Sequence, residues 1–200
     1  MTMRLLASPT SPYARLVRVV LAEKGLLEKI QVEMVDPWSS PDSLLQVNPL
    51  SRIPTLVTEH GLPLTESALI VLYLDHSFAE PPLIHPHSLE SVMRRLGLSQ
   101  GILDAAVAVV ANRRFRGEEA NSDPIVARRL AALPQLLAKA EEVAGGDPAA
   151  PDLGDLALVV ALEYVGFRLP ELDWSAEQPV LAGWWEARRE RPSLAATRPG

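Results

Sequence analysis

The chain has 200 residues, enough for one large domain or two small ones, and 48% of them are hydrophobic, so it can bury a sizeable core. Its net charge of −6 disfavours nucleic acid as a partner, and the absence of cysteine excludes disulfides, thiolate metal sites and a cysteine nucleophile. The longest unbroken apolar runs have seven residues, far fewer than a membrane span needs, and no signal-peptide pattern is present, so we expect a cytoplasmic protein that does not enter the membrane.

The first 78 residues predict a small mixed sheet with helices packed on it. The apolar run MRLLA is typical of a buried strand, and the helical spacing of apolar residues after Pro12 indicates a helix that ends at Gly25. The alternating IQVEMV predicts a second strand, and PTLVTE and LPLTE predict a hairpin that turns at HG. A short helix over residues 43–46 and a longer one over ESALIVLYLDHSF complete the order βαβαββα.

The remainder of the chain predicts helices only. The segment AEPPLIHPHS contains three prolines and no periodic pattern, which indicates a linker. Four helical patterns follow it: LESVMRRLGLSQGILDAAVAVVANRR, DPIVARRLAALPQLLAKAEEVAGG, DLGDLALVVALEYVGF and PVLAGWWEARRER. We therefore predict an N-terminal domain over residues 1–78, a linker over 79–87 and an all-helical domain over 88–200.

Three motifs carry a resemblance to a known family: TSPYARLVRVVLAEKG (residues 10–25), NPLSRIPTL (48–56) and LTESALIVLYL (64–74). In this order and spacing they resemble the cytosolic glutathione transferase family, in particular small bacterial members with a Ser-Pro-Tyr or Ser-Pro-Phe start to the first helix. The similarity covers nearly the whole chain. It implies an α+β thioredoxin-like N-terminal domain that binds glutathione, an all-α helical C-terminal domain and a homodimer.

Ser11 is the candidate catalytic residue. Its place before Pro12 is that of a helix N-cap, which already explains a serine there. Glutathione reacts as a thiolate, and a hydroxyl at a helix N-terminus can donate to the sulfur anion while the helix end adds positive charge. The resemblance implies that the cap and the catalytic position coincide. Thr10 is the alternative donor, Tyr13 already lies within the helix, and Arg15 either adds positive potential or is a solvated surface residue.

The segment RIPT contains the second group of candidates. A proline that opens a strand needs no further explanation. The resemblance implies more: a cis peptide bond at Pro54 would turn the N–H and C=O of Ile53 outward, where they could pair with the cysteinyl part of glutathione as an added antiparallel strand. Arg52 is a candidate for binding the glycyl carboxylate.

The segment TESA contains the third group. Thr65 as a cap and an acidic residue in the first turn would explain it as an ordinary helix start. The resemblance implies that Ser67 binds the γ-glutamyl carboxylate at a helix N-terminus, a place suited to anions, and that Glu66 meets the ammonium group. Asp104 could reach the same ammonium across a dimer interface, or it is simply a polar residue on a helix face.

The segment DLGD is similar to a capping box of the same family, in which Ser or Thr is commoner at the first position. Asp152 would be the N-cap and Asp155 the third residue of the helix. This motif would serve folding rather than catalysis.

The resemblance implies a detoxification enzyme that conjugates the glutathione thiolate to a hydrophobic electrophile, with glutathione as co-substrate and no cofactor. His85 and His87 have no third ligand nearby, so we expect no metal site. Two alternatives remain. One is a non-catalytic interaction or ligand-binding protein of the same fold. The other is a glutathione-dependent isomerase of the maleylacetoacetate type, whose usual Ser-Ser-Cys start this chain lacks.

Overall fold

The computed structural model describes residues 2–199, which form two compact units. The first unit combines the residues up to 84 with the segment from residue 192 onward, and the second comprises His85–Arg191. The domain boundaries predicted from the sequence instead place residues 192–199 in the all-helical domain. No helix in the described range is long and apolar enough to cross a membrane.

The first unit contains a four-stranded mixed sheet with the strand order β2-β1-β3-β4. The strands are β1 Met3–Ala7, β2 Ile30–Met34, β3 Thr55–Val57 and β4 Pro63–Thr65. Strands β1 and β2 are parallel, whereas β3 is antiparallel to both β1 and β4. The four strands are those that the sequence predicts, and the thioredoxin-like α+β fold is confirmed.

The helices of this unit are α1 Pro12–Glu23, α2 Asp42–Leu45 and α3 Ser67–Ser77, followed much later in the chain by α9 Pro192–Ala195. Helix α1 buries an apolar face that includes Leu16, Val17 and Val20, and it packs against α3. The helix ends before Gly25, whose φ of 62° suits a glycine after a helix C-terminus.

The register of the sheet brings three connections to one edge. Leu6 near the end of β1 pairs with Thr55 at the start of β3, and Thr55 pairs with Thr65 at the end of β4. The chain therefore leaves β1, enters β3 and leaves β4 at the same edge. Neighbouring strands lie ~4.8 Å apart, so these three connections start within about 10 Å of each other.

The second unit contains only helices among its described residues: α4 Leu89–Arg116, α5 Pro124–Val143, α6 Leu153–Arg168, α7 Trp174–Glu177 and α8 Pro179–Glu186, besides short 3-10 turns. Helix α4 packs against α5 and α6, and α6 is buried along most of its length. The four predicted helices are present. The four-residue α7 was not predicted, because it is too short to show a period.

The start of α6 is fixed by a buried cluster of charges. Asp152 is the N-cap, as the sequence predicts, and its Oδ1 accepts from the Asp155 N–H at 3.0 Å. Arg95 donates to Asp152, and its Nε lies 3.1 Å from Asp155 Oδ1 in an ion pair. Burial raises the pKa of Asp155 to about 6; the charge of Asp152 adds to this shift, and Arg95 and Arg188 oppose it. The Asp155 carboxylate therefore serves the cluster rather than a reciprocal capping box.

Candidate functional site

Ser11 combines a structural role with an available donor. It is extended (φ −76°, ψ 121°), caps α1, and its Oγ accepts from the Ala14 N–H at 3.3 Å. The residue is partly exposed. Accepting this hydrogen bond uses a lone pair of the oxygen, so the hydroxyl proton can still be donated to a ligand. Capping and thiolate binding are thus compatible in the same atom.

The residues near Ser11 in the sequence differ from one another in their exposure to solvent. Thr10 is exposed and precedes the cap, and Tyr13 is partly exposed in the first turn. Arg15 is only 2% exposed, so it is not a solvated surface residue. Its Nη2 donates to the Leu194 carbonyl at 3.1 Å, a contact between residues 179 positions apart that no local pattern shows.

The loop before β3 is held by a buried asparagine to which no sequence pattern assigns a role. Asn48 donates through Nδ2 to the Arg52 carbonyl at 3.0 Å and to Thr55 Oγ1 at 3.1 Å, while its Oδ1 accepts from the Leu50 N–H at 3.2 Å. Thr55 Oγ1 donates to the same Arg52 carbonyl at 2.9 Å. The backbone immediately before Ile53 is therefore fixed by two side chains.

The Ile53–Pro54 peptide bond is cis, as the resemblance implies. The Ile53 side chain is buried, and within residues 2–199 the N–H and C=O of Ile53 take no part in the backbone hydrogen bonds of the loop or the sheet. Arg52 is exposed. A peptide strand could therefore pair with Ile53, in the manner of an added edge strand.

Glu66 has an unusual backbone. With φ 65° and ψ 114° it is the N-cap of α3, it makes no side-chain cap hydrogen bond, and its side chain is exposed. Thr65 instead ends β4, so the cap lies one residue later than the simple helix-start explanation assumed. A non-glycine residue in a sparsely populated backbone region costs ~1–3 kcal/mol, and such residues cluster at active sites and ligand clamps. Ser67, the first residue of α3, is 3% exposed.

The structure thus brings most predicted site residues to one sheet edge. Ser11 follows β1, Ile53 and Pro54 precede β3, and Glu66 and Ser67 follow β4. The N-termini of α1 and α3 both begin there, and each provides N–H groups and partial positive charge suited to an anion.

The remaining candidates lie in the second unit. Asp104 is an exposed residue of α4. The rings of His85 and His87 stack, with centroids 5.5 Å apart. Across the described part of the chain, no group of three or more His, Asp or Glu side chains could hold a metal ion.

Comparisons with known proteins identify the family to which the chain is similar. A family model described as the N-terminal domain of glutathione S-transferase matches residues 10–77. A glutathione S-transferase from Methylobacterium radiotolerans, solved with glutathione sulfonate, is 35% identical with a TM-score of 0.88, and the match covers 98% of this chain and 94% of that one. A glutathione transferase family member from Pseudomonas fluorescens Pf-5, solved with bound glutathione, is 31% identical with a TM-score of 0.88 over 99% of both chains. The uncharacterized GST-like protein YibF of Escherichia coli is 28% identical over 206 residues, 98% of each chain.

The fold defines a two-unit protein with a thioredoxin-like first unit and a helical second unit. Because a solved glutathione S-transferase is 35% identical and is covered over 94% of its length, this chain belongs to the glutathione transferase family.

Proposed function

We propose that this protein is a glutathione transferase that conjugates the glutathione thiolate to a hydrophobic electrophile. The observation that carries the proposal is the position of a capping hydroxyl, a strand start preceded by a cis proline and a second helix N-terminus at the same sheet edge. Glutathione needs these three features together, since it has a thiol to ionise, a peptide backbone to pair and a γ-glutamyl carboxylate to bind.

Ser11 is the thiolate partner in this proposal. A hydrogen bond to a charged group contributes ~1.5–3 kcal/mol, and a helix N-terminus contributes ~0.3–1 kcal/mol more. Together they can lower the thiol pKa by about two units, which corresponds to ~2.8 kcal/mol. At pH 7 the thiolate fraction of glutathione would then rise from about 3% to about 75%.

The other candidates hold the parts of glutathione that do not react. Ile53 pairs with the cysteinyl backbone, and Pro54 fixes its direction. Ser67 binds the γ-glutamyl carboxylate with the N-terminus of α3, while Glu66 balances the ammonium group, and Arg52 meets the glycyl carboxylate. The backbone of Glu66 supports this assignment, because non-glycine residues in sparsely populated backbone regions cluster at ligand-binding sites.

The proposal also includes a homodimer in the cytoplasm that acts in detoxification. Two-fold dimers are the commonest oligomers, and the cytoplasm is where glutathione keeps thiols reduced. Light scattering at micromolar concentration should give twice the mass of the chain. A monomer mass would contradict the dimer and would remove any role for Asp104 across an interface.

The primary test is glutathione binding measured by calorimetry, followed by conjugation assays with a panel of aryl halides, epoxides and enones. Binding together with conjugation supports the proposal. Binding with isomerisation of a cis double bond and no conjugation would favour the isomerase. No binding of glutathione would favour a non-catalytic interaction or ligand-binding protein.

Ser11→Cys tests the catalytic position directly, because the wild type has no cysteine. The thiolate of the variant should attack oxidised glutathione, forming a mixed disulfide with the protein and releasing one reduced glutathione. The protein mass should rise by one glutathionyl group and return with a reductant. If Ser11 faces only its own helix, no adduct will form under native conditions.

A further inference from the structure

The first turn of α1, which carries Ser11, is fastened to a segment from the far end of the sequence. Arg15 donates its backbone N–H to the Ser11 carbonyl at 2.9 Å, so the two residues close the first turn of the helix. The Arg15 side chain is buried; its Nε donates to Thr197 Oγ1 at 3.3 Å and its Nη2 to the Leu194 carbonyl at 3.1 Å. Thr197 Oγ1 in turn donates to the Ser193 carbonyl at 2.9 Å.

A second contact holds the other end of the same helix. Ser193 Oγ donates to Glu23, the last residue of α1. Leu194 is completely buried, and α9 packs against α1. The segment 192–197 therefore lies along α1 and is bonded to it at the first turn and at the last.

We propose that Arg15 and Thr197 are positioning residues for the Ser11 hydroxyl. Their hydrogen bonds fix the first turn of α1, and with it the place at which Ser11 meets the glutathione sulfur. This inference rests on the proposed function, in which Ser11 is the thiolate partner.

Burying a charged arginine costs free energy, and an apolar side chain could fill the same space without that cost. The guanidinium contributes what an apolar residue cannot, namely directional hydrogen bonds, including those to Thr197 and to the Leu194 carbonyl, at a defined place on the helix. Such rigidity matters for Ser11 because a misplacement of 1 Å at a reacting group can cost about 100-fold in rate.

Thr197→Val is the informative variant, because valine keeps the shape of threonine and removes the oxygen that accepts from Arg15 and donates to the Ser193 carbonyl. With the Arg15–Thr197 hydrogen bond lost, we expect kcat to fall by about tenfold and the pKa of the bound glutathione thiol to rise, with little change in the KM for glutathione. Thr197→Ser retains the hydroxyl and should restore both. Ser193→Ala is the matched control, since it removes the bond at the distal end of α1 and should leave the thiol pKa unchanged.

A double-mutant cycle separates positioning from general destabilisation. If Thr197 acts through Ser11, then Thr197→Val should have no effect on kcat or on the thiol pKa in a Ser11→Ala background. The thiol pKa is read from the thiolate absorbance of bound glutathione, which requires binding and not turnover.

The positioning role is overturned if Thr197→Val changes kcat and the thiol pKa as much in the Ser11→Ala background as in the wild type. It is also overturned if Ser193→Ala changes them as much as Thr197→Val does. Either result leaves the proposed function intact. If Ser11→Ala itself changes neither kcat nor the thiol pKa, the assignment of Ser11 fails, and the positioning role fails with it. A wild-type protein that does not bind glutathione would overturn both.

Discussion

Replacing Ser11 by aspartate or by alanine should separate its capping role from its catalytic one. Aspartate is as good an N-cap as serine, since its carboxylate can accept from the Ala14 N–H and suits the helix N-terminus; the free energy of unfolding should stay within ~0.5 kcal/mol of the wild type. Alanine removes the acceptor and should cost ~1 kcal/mol. Stability should therefore rank the aspartate variant above the alanine variant.

Activity should rank the two variants in the opposite order. Alanine removes one preorganised donor to the thiolate, a loss of ~2–4 kcal/mol, or about 30-fold to 1,000-fold in kcat. Aspartate removes the same donor and adds a negative charge beside the sulfur, which raises the thiol pKa further and should lower kcat below that of the alanine variant.

Urea unfolding gives the stabilities, and steady-state kinetics at saturating glutathione give kcat. Thr10→Val is the control and should keep kcat within about twofold, because Thr10 is exposed and lies outside the helix. Full activity in the alanine variant, or activity that follows stability across the series, would refute the role of Ser11 as donor. Loss of activity in Thr10→Val alone would transfer that role to Thr10.

Three further predictions concern other sites. Glu66→Ala should raise the KM for glutathione about tenfold with kcat nearly unchanged, because Glu66 meets the end of glutathione that does not react; a change confined to kcat in steady-state assays would contradict this. Asn48→Ala removes three hydrogen bonds of the loop and should lower the free energy of unfolding by ~1.5–4 kcal/mol in urea, together with a higher KM; an unchanged KM would show that the loop does not position Ile53. The pKa of Asp155 is raised from an ordinary 3.8 to about 6, so its contribution to stability is present below pH 3.8 and is lost as the pH rises through 6. Asp155→Asn should therefore abolish this part of the pH dependence of the free energy of unfolding, measured by urea unfolding at several pH values. An unaltered pH profile in the variant would refute the raised pKa of Asp155.

The elements of the first unit could be predicted because their signals are local. A buried apolar run or an alternating pattern predicts the first two strands, and a serine before Pro12 together with Gly25 marks the limits of α1, which the structure places at Pro12–Glu23. The register of the sheet has no such local signal. It depends on which residue of β3 pairs with β1, here Thr55 with Leu6, and this pairing is what brings the site loops to one edge.

The unpredicted features of the site depend on contacts that single positions do not reveal. A glutamate gives no indication that its φ will be 65°, because positive φ is typical of glycine and not of glutamate. In the sequence Asn48 is an ordinary loop residue, and nothing near it indicates its hydrogen bonds to Leu50, Arg52 and Thr55. Arg15 falls on the buried face of a helix whose period predicts apolar residues there, and its partners lie about 180 positions away.

The choice between Ser11 and Thr10 as the donor depends on preorganisation rather than on chemistry, because both residues offer a hydroxyl. A donor that is free to rotate must be ordered when the thiolate binds, which costs part of the energy that the hydrogen bond supplies. Ser11 is ordered before binding, since the Ala14 N–H holds one lone pair of its oxygen toward the helix. The hydroxyl proton then remains for a ligand at the helix N-terminus, where the partial positive charge of α1 also acts. Only the residue at the cap combines a fixed hydroxyl with that charge, and for this reason capping and catalysis can reside in one side chain.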